Sequence, residues 1–210
     1  MSRVADGSFG IIPSWLLKYA KNGEIGVPDS VPLGRSHQPP LCLPTMCDPI
    51  LPDLLQPGLG LVFCGTAASR RSATEGAYYA HPGNLFWRAL HAVQLTPRQF
   101  APTEFPLLPT LGIGLTDLAK HHRGNDDELP RDAFDVLALR SKIERHAPSL
   151  LAFTSKAAAR AVLGPSIGYG WQREHINATR LYVLPSPSGQ ARGHWDITLW
   201  QELADGFRAL

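Results

Sequence analysis

The sequence predicts an α/β fold: a three-layer α/β/α sandwich around a central, mainly parallel sheet. From about residue 59 onward, short apolar runs of strand length alternate with longer helical patterns. The run at 59–65 is apolar throughout, as expected of a strand that helices cover on both faces. A length of 210 residues with 44% hydrophobic content suits one ordinary core. We therefore expect one folded domain with an extension before it.

The predicted extension comprises residues 1–52, an N-terminal helix and a proline-rich arm. Residues 11–22, IIPSWLLKYAKN, place apolar side chains on one helical face, and Gly23 ends the pattern. Between 27 and 58, prolines recur so often that long regular structure is excluded. This stretch is either a linker or an arm lying on the domain, which we assign to residues 53–210.

In the first half of the domain, the sequence predicts a strand, then a helix, then a segment that contains glycines. The strand at 59–65 leads into a run of small residues. A helical pattern at 82–95 then ends before Pro97, because proline cannot continue a helix. Residues 108–118, LPTLGIGLTDL, predict a strand or loop that runs into a turn.

The second half of the domain alternates helices with strands. Apolar residues at helical spacing, such as Leu139 and Ile143, predict its first helix, and Gly164 ends the second. The predicted order is a helix at 132–148, a strand at 149–155, a helix at 156–164, a strand entering a loop at 179–189 and a terminal helix at 196–210. Alternation of this kind is typical of a parallel sheet flanked by helices.

The composition restricts the partners and the compartment. A net charge of +2 permits a nucleic-acid partner but does not demand one, so any basic surface must be local. Three cysteines, Cys42, Cys47 and Cys64, are too few for a secreted disulfide framework and favour a reducing compartment. No apolar stretch approaches about 18 residues, and the first residues lack a signal-peptide pattern. We expect a cytosolic protein that makes no membrane contact.

Four motifs lie where strands end, the place at which parallel sheets bind ligands. They are LVFCGTAAS at 61–69, AYYAHPGNLFW at 77–87, GIGLTDL at 112–118 and VLPSPSGQAR at 183–192. In order and spacing these motifs resemble those of the mismatch-specific uracil/thymine DNA glycosylases, a family of the uracil-DNA glycosylase superfamily. The match to the family's His-Pro-x-Asn-x-Phe-Trp pattern is the most specific of the four.

The resemblance implies a monofunctional hydrolase that cleaves the bond between a damaged pyrimidine and its deoxyribose. The nucleotide is flipped out of double-stranded DNA that contains uracil or a mismatched or damaged base. Single-stranded DNA is a further candidate partner. The resemblance also implies no cofactor and no metal, a monomer, and a prokaryotic-type cytosol with association to the nucleoid. Cys42 and Cys47 lack the four-ligand spacing of a zinc site and are interpreted as idle thiols.

The first motif supplies predicted base-binding residues. Gly65, Thr66 and Ser69 are small enough to let main-chain N–H groups reach a base, although a tight turn into a helix explains them equally simply. By resemblance, Ser72 lies near the C5 edge of the base, where a hydroxyl crowds a methyl group and favours uracil over thymine. The alternative for Ser72 is a solvent-facing serine.

The second motif supplies a predicted stacking platform. By resemblance, Tyr79 stacks on the flipped base, an interaction worth roughly 1–3 kcal/mol. The alternatives are that Tyr79 is a core residue, or that Tyr78 stacks in its place. Asn84 is a candidate base contact or a helix cap, and His81 a residue that holds the loop.

The fourth motif predicts a wedge that fills the space left by the flipped base. Its residues are Ser188, Gly189, Gln190, Ala191 and Arg192, and glutamine stands where the family often has leucine. An ordinary polar surface turn is the alternative. Four basic side chains have two interpretations: they contact DNA phosphates, or they only make the surface soluble. These are Arg70, Arg71, Lys120 and Arg123.

The predicted catalytic residue is Asp117, because the chain departs from the family pattern elsewhere. The family's first loop carries an asparagine that positions water, and Ala67 stands there. Asp117 aligns with the family's lysine or asparagine in the third motif, and a carboxylate can take a proton from water and stabilise a cationic sugar. A turn-capping role is the alternative for Asp117. Weaker candidates for the acid are Asp53, Asp126, Asp127 and Glu128.

Three functions are compatible with these residues. The first is a glycosylase in which an aspartate replaces the usual asparagine. The second is a non-catalytic binder of damaged or abasic DNA, since Ala67 removes a usual catalytic group. The third is a hydrolase of free nucleosides, which the wedge motif disfavours because a free nucleoside leaves no gap to fill.

Overall fold

The computed structural model describes residues 48–130 and 132–210, apart from the side chains at 192 and 194. The predicted helix at 11–22, most of the predicted arm and both Cys42 and Cys47 lie outside the described residues. In the described part of the chain, no helix is both long and apolar enough to cross a membrane.

One five-stranded sheet organises the domain, in the order β2-β1-β3-β5-β4. The first four of these strands run parallel, and β4 pairs antiparallel with β5 at the edge. The strands are β1 Leu61–Ala68, β2 Ile113–Arg123, β3 Leu150–Phe153, β4 Gly170–Ile176 and β5 Thr179–Val183. A mainly parallel sheet confirms the predicted fold class.

Helices cover both faces of this sheet. They are α1 Arg70–Glu75, α2 Phe86–Ala92, α3 Val136–His146, α4 Lys156–Leu163 and α5 Ile197–Arg208. On one face, Leu61 and Phe63 of β1 join a core cluster with residues of α2 and α5 such as Trp200. On the other face, Val62 and Cys64 pack with residues of α3 and α4. Alternate side chains of β1 therefore enter opposite cores, which explains its unbroken apolar run.

The main difference from prediction lies at the end of β1. We expected a loop from Gly65 onward, but the strand continues to Ala68. The long neighbouring strand β2 pairs with it there, matching Gly65 with Asp117 and Ala67 with Ala119. Small residues have little strand propensity of their own, so the pattern concealed an extension that the partner strand stabilises.

Strand β4 and helix α1 had no sequence prediction. Strand β4 has an exposed, charged middle, RE at 173–174, because it lies at the sheet edge where only one side is paired. Helix α1 spans only six residues and is defined by a side-chain cap, in which Ser69 accepts a hydrogen bond from the Ser72 amide. Short or polar elements give a weak periodic signal.

The glycine-containing segment that was predicted at 108–118 belongs to two elements. Pro102–Leu111 forms a 3₁₀ helix, Gly112 turns the chain with a φ of 73°, and β2 then starts at Ile113. The outer edge of β2 is covered by a short stretch around Leu54, whose N–H and C=O both bond to Leu115. A side chain at Gly114 would collide with the Leu54 carbonyl, so glycine permits this covering.

Candidate active site

A cavity of about 450 Å³ opens at the carboxyl ends of β1, β2 and β3. Two further walls come from the segment after β2 and the loop after β5. The predicted residues that line it are Gly65, Thr66, Ser69, Ser72, Tyr79, Asn84, Asp117, Ser188, Gln190 and Ala191. Gly189 lines an adjoining groove, and the side chain of Arg192 is outside the described part. The fold thus brings the motifs to one place.

Asp117 is the buried acid of this cavity. It lies on β2 beside Gly65 of β1, and its residue is only 6% exposed. None of the hydrogen bonds or ion pairs formed by the described residues includes its carboxylate. A Cβ at position 65 would collide with Oδ1 of Asp117, so glycine is needed for the carboxylate to occupy this space.

The pKa of Asp117 is raised to about 6. The main cause is burial, which penalises the charged form. The positive charge of Lys120 opposes the rise, the negative charge of Asp53 adds to it, and Lys142 again opposes it. A carboxyl with this pKa is ionised at neutral pH and is a stronger base than an exposed aspartate.

Asp53 is excluded as the catalytic acid because its carboxylate is fully engaged. It accepts from Lys120 Nζ at 2.8 Å, from Lys142 Nζ at 2.7 Å and from Thr116 Oγ1 at 2.7 Å. Burial pushes the pKa of Asp53 up, but the two lysines and the threonine together hold it below the usual value. Lys120 also donates to the Tyr78 hydroxyl at 3.1 Å, and its side chain is 9% exposed. The interpretation of Lys120 as a phosphate contact is therefore wrong.

Tyr79 is held in an unusual backbone conformation. Its φ is 53°, in the left-handed region that bulky residues rarely adopt. Phe86 stacks on one face of the ring at 3.9 Å between centroids, and the hydroxyl lies 3.2 Å from Thr154 Oγ1. Tyr78 is only 2% exposed, and its hydroxyl donates to the Pro52 carbonyl. Both residues line the cavity, and Tyr79 is the more accessible.

Ser69 and Ser72 organise one wall of the cavity. Ser69 Oγ accepts from the Ser72 amide and donates to Ser72 Oγ at 3.0 Å. Ser72 Oγ in turn accepts from the Ala80 amide at 3.2 Å. Ser72 is 2% exposed, so the alternative of a solvent-facing serine is wrong. These hydrogen bonds fix α1 against the turn that carries Tyr79.

Asn84 has one end of its amide occupied. Its Oδ1 accepts from the Phe86 amide at 2.9 Å in the turn before α2, although the N-cap of that helix is Leu85 rather than Asn84. The Nδ2 group of this cavity-lining residue is then the end that remains for a ligand. His81 Nδ1 accepts from the Gly83 amide at 3.0 Å, which supports its interpretation as a loop-holding residue.

The segment 124–128 forms the acidic mouth of the cavity. Thr66 Oγ1 donates to Asp126 Oδ1 at 2.6 Å, and Arg70 pairs with Glu128 at 3.2 Å. Asp126 and Asp127 both line the cavity and are exposed. Sequence reasoning ranked them only as weaker acids, because nothing in a polar loop indicates which strand it returns to.

The predicted wedge is a 3₁₀ turn, Gly189–His194, at the rim of the cavity. The Gln190 amide donates to Ser188 Oγ at 3.4 Å, and the Ala191 amide donates to the Ser188 carbonyl at 3.0 Å. Gln190 is exposed. An adjoining groove of about 320 Å³ shares this rim and contains Arg70, Arg71 and His81.

Sequence reasoning missed part of the lining. Thr154 and Ser155 follow β3, and Ser186 and Pro187 follow β5. Their position directly after predicted strands was the signal that could have identified them. Across residues 48–130 and 132–210, no group of three or more His, Cys, Asp or Glu side chains is placed to hold a metal ion.

Together, the sheet and the cavity define an α/β protein with a buried carboxylate facing a cleft at the carboxyl ends of parallel strands. The chain belongs to the uracil DNA glycosylase superfamily, whose family model matches residues 52–204. The predicted superfamily is thereby confirmed. Membership of this superfamily implies a DNA glycosylase role.

A solved structure supports the same fold. The solution NMR structure of a candidate uracil DNA glycosylase from Methanosarcina acetivorans resembles this protein with a TM-score of 0.53 and 23% sequence identity. The similarity covers 75% of this chain and 96% of the other. At this identity the likeness concerns the fold.

Proposed function

We propose that this protein is a monofunctional DNA glycosylase that hydrolyses the N-glycosidic bond of uracil, including uracil in mismatches. The observation that carries the proposal is Asp117, a buried carboxylate without a protein partner among the described residues, facing the cavity. A buried carboxylate without a partner is costly to the fold, and such groups are concentrated at functional sites. Asp117 here replaces the family's asparagine, which is absent at Ala67.

The proposed reaction begins with a water molecule beside Asp117. As the bond between C1′ and the base breaks, positive charge develops on the sugar, and the carboxylate stabilises it. The water oxygen attacks C1′, and Asp117 accepts its proton late in the reaction. With a pKa of about 6, Asp117 is in the required ionised form at neutral pH. None of these steps uses a metal ion or a cofactor.

The proposed base site explains recognition of uracil. Tyr79 stacks on the flipped base, with Phe86 supporting the opposite face of the ring. The free Nδ2 end of Asn84 donates to a base carbonyl, since its Oδ1 is already bonded to Phe86. Main-chain N–H groups near Gly65 and Thr66 face the charge that develops on the departing base. The buried Ser72 hydroxyl contributes to the wall near C5.

The proposed DNA contacts lie around the rim. Gln190 enters the stack in place of the flipped base, with Ser188, Gly189, Ala191 and Arg192 forming the rest of the wedge. Arg70 and Arg71 lie in the adjoining groove and contact phosphates. We expect the protein to act as a monomer on duplex DNA and, more weakly, on single strands.

A non-catalytic binder of damaged DNA remains the second candidate, because Ala67 has no amide to orient water. Single-turnover excision on a duplex with one uracil separates the two, with free deoxyuridine as a parallel substrate. We expect strand cleavage at the abasic site after alkali treatment of the duplex reaction, and no uracil from the nucleoside. Tight duplex binding without excision would support the binder, and release from deoxyuridine would support a nucleoside hydrolase.

A further inference from the structure

The cavity carries more negative charge than the recognition of an uncharged base such as uracil requires. The charged side chains among its described lining residues are three carboxylates: Asp117, Asp126 and Asp127. Within the described part of the chain, none of the ion pairs includes any of the three. Asp126 accepts a hydrogen bond from Thr66, a neutral donor that leaves its charge in place. The positive charges of Lys120 and Lys142 act on Asp117 from behind the cavity, where both lysines pair with Asp53, but the side chains that line the cavity carry only negative charge.

Asp117 distinguishes this cavity from an ordinary acidic surface patch, because its charge is buried. It is 94% buried, since 6% is exposed, and its carboxylate faces the cavity without a donor from the described residues. A buried charge in a site of low dielectric interacts with a ligand charge far more strongly than it would in water. The two exposed carboxylates at the mouth add to the same potential.

The aromatic wall adds a second attraction for positive charge. Tyr79 lines the cavity and is partly accessible, with Phe86 stacked on one face of its ring, whereas the Tyr78 ring already has Lys120 Nζ over it at 5.7 Å. The face of an aromatic ring is electron-rich and attracts cations. At about 450 Å³, the cavity is also within the range that holds ligands larger than a pyrimidine.

We infer that the same cavity accepts positively charged, N-alkylated purines flipped from DNA, with N7-methylguanine as the simplest example, and that the protein excises them. The inference rests on the proposed glycosylase function and names a further substrate class for that site. A reacting nucleotide that contains an alkylated purine keeps a net charge of +1 from the flipped state to the transition state. Uracil and its sugar have no net charge, so the three carboxylates favour the alkylated purine.

The chemistry balances without a further reactant. The water oxygen bonds to C1′, and the bond from C1′ to N9 breaks with its electron pair moving into the purine ring. That pair cancels the positive charge of the base, which leaves as a neutral molecule. Asp117 takes the proton from water, and the sugar keeps a hydroxyl at C1′. A neutral leaving group needs no donors to stabilise it, unlike uracil.

The first test uses the wild-type protein under single-turnover conditions. Three duplexes differ at one position, which holds N7-methylguanine, guanine or uracil. We expect release of N7-methylguanine well above its spontaneous rate and no release of guanine, the uncharged purine of matched shape. Release of uracil with N7-methylguanine at background overturns this inference alone. Release of neither base overturns the proposed glycosylase function and this inference with it.

The second test removes the charge at the mouth while keeping its shape. In the Asp126→Asn/Asp127→Asn variant, the amide oxygen at 126 can still accept from Thr66 Oγ1. We expect the ratio of kcat/KM for N7-methylguanine to that for uracil to fall by about 10-fold, because two charges have been neutralised. Glu174→Gln, an exposed change on β4, is the control.

A ratio unchanged in the double variant overturns the electrostatic explanation, even if both rates fall in parallel. Thermal unfolding monitored by circular dichroism shows whether the variant is folded. If it is not, Asp127→Asn alone serves, because no hydrogen bond between described residues uses the Asp127 side chain. A smaller decrease in the same ratio is then expected, and its absence again overturns the inference.

Discussion

Asp117 makes two opposing contributions, one to the chemistry and one to the stability of the fold. Burial beside Gly65 raises its pKa to about 6, which produces a stronger base at neutral pH. The same burial makes the ionised carboxylate unfavourable in the folded state.

Asp117→Ala should keep its fold, while single-turnover excision falls by about 10²-fold or more, the scale of losing a general base. Asp117→Asn should be intermediate, because an amide orients water but has no charge. In the wild type, the rate should rise with pH through about 6 and then level off, as Asp117 loses its proton. Ala67→Asn added to Asp117→Ala should recover part of the rate.

The control for the Asp117 series is Asp48→Ala, which alters an exposed aspartate. Wild-type-like excision by folded Asp117→Ala would falsify the catalytic assignment. Failure of Ala67→Asn to recover any activity would contradict only the idea that both positions face one reacting centre.

Asp117→Asn should also be more stable than the wild type at pH 8. The pKa is higher in the folded protein than its ordinary value of 3.8, so the folded state binds more protons between about pH 4 and pH 6. The free energy of unfolding therefore decreases as pH rises through this window and is flat above it. Ionisation of the buried Asp117 carboxyl lowers the free energy of unfolding by up to about 3 kcal/mol, and Asp117→Asn removes this destabilisation.

Urea unfolding at pH 5 and pH 8 measures this effect, with Asp48→Asn as the control for an exposed site. The gain from Asp117→Asn should be larger at pH 8 than at pH 5. An equal gain at both values would show that the carboxyl does not titrate as the structure indicates.

Tyr79→Ala should reduce excision by about 5- to 150-fold, the loss expected when stacking worth roughly 1–3 kcal/mol disappears. Tyr79→Phe is the matched control, since it keeps the ring over Phe86 and removes only the hydroxyl bonded to Thr154. Excision rates and thermal unfolding are measured for both variants. If Phe is as damaging as Ala, the hydroxyl rather than stacking is responsible.

At the scale of elements, the register between β1 and β2 creates the site. Gly65 and Asp117 are directly paired neighbours, so the carboxylate of one strand occupies the space above the glycine of the other. Because side chains alternate along a strand, a shift by one residue would place Thr116 in the cavity and Asp117 on the other face.

Gly65→Ala should displace the Asp117 carboxylate and lower excision by about 10-fold or more, because the added Cβ collides with Oδ1. Gly168→Ala is the control, since a Cβ there meets no neighbour. In the double variant Gly65→Ala/Asp117→Ala, the glycine change should cause little further loss beyond Asp117→Ala. Two fully additive losses would mean that Gly65 acts independently of Asp117.

At the scale of the whole molecule, the small net charge of +2 limits how strongly DNA can be held. The groove that contains Arg70 and Arg71 adjoins an acidic mouth, and Glu128 and Glu75 already pair with these two arginines. Affinity should therefore come from few phosphate contacts, with recognition concentrated in the cavity.

Duplex binding should weaken with salt, with a shallow slope of log K against log salt. Arg70→Gln/Arg71→Gln should decrease that slope by about two, one for each phosphate contact. Arg173→Gln, on the exposed edge strand β4, should not change it. Fluorescence anisotropy over a salt series measures the slopes. Binding that does not respond to salt would argue that DNA is not the partner.

The fold class and the superfamily could be predicted from the sequence, together with many of the residues that line the cavity. Unbroken apolar runs identify buried strands, and the four motifs mark the strand ends, so Asp117, Tyr79 and Asn84 could be selected in advance. These features are local, because they depend on the residues of one segment and its neighbours in the chain.

How those residues meet depends on contacts between distant segments of the chain, which the folded structure shows. The pairing of β1 with β2 extends the first strand to Ala68 and places Asp117 beside Gly65. The return of segment 124–128 to Thr66 puts two carboxylates at the mouth, and Asp53 draws Lys120 away from solvent. Each of these contacts joins residues about 50 or more positions apart, and a linear pattern contains no information on which distant segments become neighbours.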